Sequence, residues 1–123
     1  MSIKGIKLVT VPVSDQDAAQ QFYVERLGFE VSQDSRMGPM RWLEVAPQGS
    51  PVSFALLPSV LGVPVGGLKG VQLFSDDLDG DCERLRAAGV TVDGPNARPW
   101  GRDASFADPD GNGFVLMSAP GGQ

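Results

Sequence analysis

The sequence predicts an α+β protein made of two β-α-β-β-β modules, and three observations lead there. First, the chain repeats itself once. Residues 7–31, KLVTVPVSDQDAAQQFYVERLGFEV, and residues 69–92, KGVQLFSDDLDGDCERLRAAGVTV, each run from a strand into an aspartate-containing helix start, an amphipathic helix, a glycine stop and a new strand. Second, 16 glycines and 10 prolines in 123 residues punctuate the chain into short elements. Third, apolar residues alternate in several short segments, as in strands with two unlike faces.

The elements follow in order. In the first strand Val9, Val11 and Val13 share one face, and Leu8, Thr10 and Pro12 the other. The first helix starts near Ser14 or Asp15, either of which can cap free N–H groups. Ala19, Phe22, Tyr23 and Leu27 recur at helical spacing, and Gly28 suits a left-handed stop. Strands are expected over 29–32, 40–46 and 52–57. The segment 59–68, rich in Gly, Val and Pro, links module 1–58 to module 69–123. In the second module Val71 and Leu73 share one strand face, and Gly70, Gln72 and Phe74 the other. The second helix starts near Asp76 or Asp77, buries Leu78, Cys82 and Leu85, and ends at Gly89. Strands are expected over 90–92, 104–107 and 113–118.

The aliphatic strand faces are expected under the helices. The mixed faces then line a concave surface suited to a small molecule. Trp42 and Glu44 lie two apart on one strand and so share a face, with Arg41 pointing the opposite way. An indole beside a carboxylate suits a flat or cationic ligand. Phe74 and Met117 add apolar residues, and a second tryptophan, Trp100, lies in the loop Arg98-Pro99-Trp100-Gly101-Arg102.

Composition narrows the function. Hydrophobic residues make up 41% and charged residues 20%, which suits a folded chain. A net charge of -5 argues against nucleic acid and against an anionic membrane surface. No stretch approaches the ~20 apolar residues of a membrane span. With one cysteine, Cys82, and no apolar leader, a cytoplasmic protein without a disulfide is expected. There is no histidine, hence no Ser-His or Cys-His pair, and no phosphate-binding loop or dinucleotide fingerprint. Glu44 is a possible general base if burial raises its pKa. Asp108-x-Asp110-x-Asn112-Gly113 begins like a calcium loop, but its twelfth position is Ala119, which cannot chelate. The turn is expected to order the chain through Asp and Asn side-chain hydrogen bonds.

Three segments in order, VPVSDQDAAQQFYVERLGFEV, FSDDLDGDCERLRAAGV and PWGRDASFADPDGNGFVLM, resemble the vicinal oxygen chelate superfamily of glyoxalases, extradiol dioxygenases and bleomycin-resistance proteins. The resemblance implies paired βαβββ modules in an open, cup-like half-barrel with helices outside, often as a homodimer. It also implies a divalent metal held at positions that here are Leu8, Gly70 and Val115, with Glu44 matching a fourth. Leu, Gly and Val side chains donate no lone pair. No metal and no cofactor are therefore expected. The ligand-binding set is Leu8, Thr10, Trp42, Glu44, Gly70, Gln72, Phe74, Trp100, Val115 and Met117. The expected function is sequestration of a drug or metabolite, apolar, aromatic or cationic. The alternative is a lyase, isomerase or dioxygenase-type enzyme, metal-independent or with an unrecognised metal site. A third reading is a collapsed cup that serves only for dimerisation.

Overall fold

The structure, a computed structural model, describes residues 1–58 and 62–118. Residues 59–61 of the expected linker lie outside the described residues. The chain forms two compact units, Met1–Val65 and Gly66–Gln123. Each contains a four-stranded mixed sheet and one helical segment, so the fold is α+β with the expected βαβββ module twice.

In the first unit, β1 (Leu8–Pro12) leads to α1 (Gln16–Gln21), then β2 (Glu30–Met37), β3 (Met40–Ala46) and β4 (Ser53–Leu57). The sheet order is β1-β4-β3-β2, with β1 parallel to β4 and the other pairs antiparallel. Asp15 caps α1, its carboxylate accepting from the N–H groups of Asp17 and Ala18. The helix then widens into a π-turn over Phe22–Arg26 before Gly28, whose φ of +75° makes the stop. The first cap-to-stop span, 15 to 28, is one residue longer than the second, 77 to 89. A π-turn takes up one extra residue without moving the helix ends.

Tyr23 lies at the centre of the core, edge-on to Phe22 and Phe54 and tilted against Phe29. Val11, Leu43, Val45 and Leu56 are fully buried. Arg41 points to the helix as expected. It donates to Asp17, to Gln20 and, through two nitrogens, to Asp34 of β2. The two carboxylates hold its pKa up and Arg41 in turn holds the Asp34 pKa down.

The second unit repeats the plan with β5 (Val71–Ser75), α2 (Leu78–Ala87), β6 (Asp93–Arg98), β7 (Gly101–Ala107) and β8 (Gly113–Ser118), in the order β5-β8-β7-β6. Asp77 caps α2, and Leu78, Cys82 and Leu85 are its buried residues. Burial raises the Cys82 pKa. Arg102 of β7 reaches Asp79 on the helix, as Arg41 reaches Asp17.

Two expectations need correction. The strand expected over 90–92 is displaced to Asp93–Arg98, and β2 runs on to Met37 rather than ending at residue 32. Asp-Gly-Pro-Asn reads as a turn, but β6 is an edge strand with a register shift between Asp93 and Asn96, where a proline is tolerated. Gly94 has a φ of +124°, and a Cβ there would stand 2.9 Å from the Asp103 carbonyl oxygen.

The Asp108–Gly113 turn is a hydrogen-bonded plug. One Asp108 carboxylate oxygen accepts from the Asp110 and Asn112 N–H groups, and the other from the Asn112 amide at 2.9 Å. Asn112, fully buried, accepts from the Leu68 N–H. Gly66 passes so close that a Cβ on it would stand 2.1 Å from the Asp110 carbonyl oxygen. This polar turn therefore holds the chain entering β5, the ordering role expected of it.

Candidate functional site

Because Arg41 reaches α1, Leu43 and Val45 share its face and Trp42 and Glu44 face away from the helix. Register extends that helix-free face across all four strands. Thr10 pairs with Ala55, Ala55 with Glu44, and Glu44 with Gln33. Leu8 pairs with Ser53 on the same face. Leu8, Thr10, Trp42 and Glu44 are thus brought to one surface, as expected.

Glu44 is 8% exposed, and both its oxygens are occupied. The Trp42 Nε1–H donates to Oε2 at 2.6 Å, and the Ser53 hydroxyl donates to Oε1 at 2.6 Å. These bonds, Ser53 first and then Trp42, lower the Glu44 pKa; burial opposes them, and the Lys7 charge lowers it least. The general-base reading, which needs a carboxyl raised toward neutrality, gains no support: the two hydrogen bonds favour the Glu44 anion. Ser53 was missing from the sequence-based set. Its signal was a lone hydroxyl in the apolar strand Ser-Phe-Ala-Leu-Leu, two residues from Ala55 and so on the Glu44 face.

In the second unit the face away from α2 carries two rows. Gln72 pairs with Val115 and Val115 with Ser105; Phe74 pairs with Met117, Met117 with Asp103, and Asp103 with Asn96. Phe74 is 74% exposed. Trp100, 68% exposed, occupies the two-residue turn with Pro99 between β6 and β7. Gly70 lies just before β5 rather than in it, with a φ of +82°. Arg98, also missed, donates through Nε to both Asp103 oxygens at 3.2 Å.

Among the described residues, no three His, Cys, Asp or Glu side chains cluster in a way that could hold a metal ion. The residues at the family's metal positions do not fit one. Three lack donors, and the fourth, Glu44, spends an acceptor site of each oxygen on a neighbouring side chain. No described helix is long and apolar enough to cross a membrane.

Known proteins agree with this fold. The protein TnmS3 from Streptomyces sp. CB03234, described as an antibiotic binding protein, is 47% identical and superposes with a TM-score of 0.92 over 96% of this chain and 98% of its own. A glyoxalase/bleomycin resistance protein from the same organism is 48% identical, with a TM-score of 0.84 over 92% of this chain and 99% of its own. The uncharacterized protein YetH of Bacillus subtilis (strain 168) is 38% identical over 93% of this chain and 98% of its length. The family model matches residues 5–116, and the chain belongs to the Glyoxalase/Bleomycin resistance protein/Dioxygenase superfamily.

Proposed function

We propose that this protein binds a small molecule, a drug or metabolite, and sequesters it without altering it. The observation that carries this reading is the Glu44 carboxylate, bonded on both oxygens by Trp42 and Ser53. A carboxylate in that state is a fixed acceptor. It is poorly placed to ligate a transition metal, and its lowered pKa makes it a weak base at neutral pH. The likeness to an antibiotic binding protein at 47% identity supports a ligand of that kind. The ligand is apolar and aromatic, or cationic. The first module offers the half-buried Trp42 for such a ligand, and the second, taken by itself, the exposed Phe74 and Trp100. The protein works without a metal, in the cytoplasm, as a homodimer.

The test is direct. Tag-free protein is offered Ni²⁺, Zn²⁺, Mn²⁺ and Fe²⁺, dialysed and analysed for metal. It is then titrated with a panel of antibiotics while tryptophan fluorescence is followed. The expected result is metal far below one ion per chain, saturable binding, and ligand recovered with unchanged mass. A stoichiometric metal, or a ligand returned as product, would move the chain to the lyase, isomerase or dioxygenase class.

A further inference from the structure

We propose that the ligand of this face carries a protonated amine, and that Glu44 is the residue that selects it. The proposal rests on the small-molecule-binding reading and narrows it to one ligand class.

Glu44 is nine-tenths buried and makes no ion pair; Lys7 is the cation that acts on it, and its effect on the carboxyl is the smallest of those at the site. None of the six ion pairs among the described residues includes it. Its two partners are neutral donors, an indole N–H and a hydroxyl. Neutral donors satisfy hydrogen-bonding geometry but leave the net charge in place. Those bonds outweigh the penalty of burial, but a carboxylate that keeps its net charge at low solvent exposure still attracts a cation. A carboxylate also has about four acceptor sites, so two remain after Trp42 and Ser53 are counted. The group is therefore short of both positive charge and donors, and an ammonium supplies both.

The second module serves as an internal control. Its helix-free face also holds a carboxylate, Asp103, at the position equivalent to Trp42 in register. There the chain supplies its own cation, and Arg98 donates to both oxygens. Glu44 is the buried carboxylate on these two faces that lacks such a partner; Glu30 and Asp93, which register places there too, are exposed. Its surroundings are open to a ligand, because Leu8, Thr10, Trp42 and Ser53 are all half-exposed. The Trp42 ring adds a π-surface that favours a cation. A net charge of -5 attracts one from a distance.

The experiment uses the full chain labelled with ¹⁵N. Its two tryptophans give two indole N–H signals, and Trp100→Phe identifies that of Trp42. Three probes that differ only in charge are titrated at neutral pH: 2-naphthylmethylamine, 2-naphthylmethanol and 2-naphthoate. The amine should move the Trp42 signal saturably, with a Kd about tenfold or more below that of the alcohol, the scale of a charge-assisted hydrogen bond. In Glu44→Gln the gap should shrink to about twofold or less. Thr10→Lys leaves Glu44 intact and offers it a built-in cation from two strands, about 10 Å, away. It should abolish the amine preference. Equal binding of amine and alcohol, or a preference that survives both Glu44→Gln and Thr10→Lys, overturns the proposal and leaves the binding reading standing. Silence of both indole signals toward all three probes overturns the two together.

Discussion

The two modules share a scaffold and differ in chemistry. In each, an aspartate caps the helix, and an arginine on the strand next to the sheet's parallel pair ties back to the aspartate two residues beyond the cap. These ties are Arg41 to Asp17 and Arg102 to Asp79. On the opposite face the correspondence ends. By register, Trp42 answers to Asp103, and Glu44 to Ser105. Helix-facing positions are fixed by packing, since any change there disturbs a close-packed core. Positions facing away are free of that constraint, and there the modules differ in chemical type, an indole against a carboxylate and a carboxylate against a hydroxyl.

The turn before the last strand of each module breaks the likeness most sharply. In the first, Ser50 bonds to its own neighbour Val52 in an exposed loop. In the second, Asp108 satisfies three N–H groups inside the protein. Asp108→Ala should cost about 3 kcal/mol or more in urea unfolding, because it strands buried donors. Ser50→Ala should change stability by less than about 0.5 kcal/mol. Similar costs would mean that the buried turn is not what holds the second module.

The arginine ties give a smaller contrast. Arg41 has three side-chain partners and a side chain 11% exposed; Arg102 has one carboxylate partner and is 31% exposed. Arg41→Ala should lower the urea midpoint about twice as far as Arg102→Ala, since exposed ion pairs are screened and contribute little. Equal shifts would make the two ties interchangeable.

The smallest expected effect is on acid stability. The Glu44 pKa in the folded chain lies below its ordinary value. Its contribution is therefore complete above the ordinary glutamate range, and it fades as pH falls toward the folded value. Glu44→Gln should flatten that part of the stability–pH curve and leave the neutral region's slope unchanged. Thermal melts across the acid range would read this, and an unaltered acid limb would contradict it.

Much of this was legible in the sequence. The repeat, both caps, both glycine stops and the 40–46 and 113–118 strands follow from periodicity and capping chemistry. The shared face of Trp42 and Glu44 follows from strand alternation alone. What escaped depends on partners distant in sequence or on local exceptions. Asp93–Arg98 is composed like a turn and becomes a strand only because β7 lies beside it. The π-turn was visible as one extra residue in the first helix but not as a shape. A base role for Glu44 was conceivable from the sequence because burial alone would raise its pKa, whereas the donor from Ser53 was not foreseeable. Pairing of β3 with β4 brings that hydroxyl within 2.6 Å, and it is the largest of the effects that lower the pKa.

The most direct measurement is an NMR titration of the Glu44 side-chain carboxyl carbon, with and without one equivalent of Ni²⁺. A carboxylate fixed by Trp42 and Ser53 predicts an apparent pKa below the ordinary glutamate value and a signal that Ni²⁺ neither shifts nor broadens. A pKa at or above that value, or a signal lost on adding the metal, would contradict it and point to acid–base or metal chemistry at Glu44.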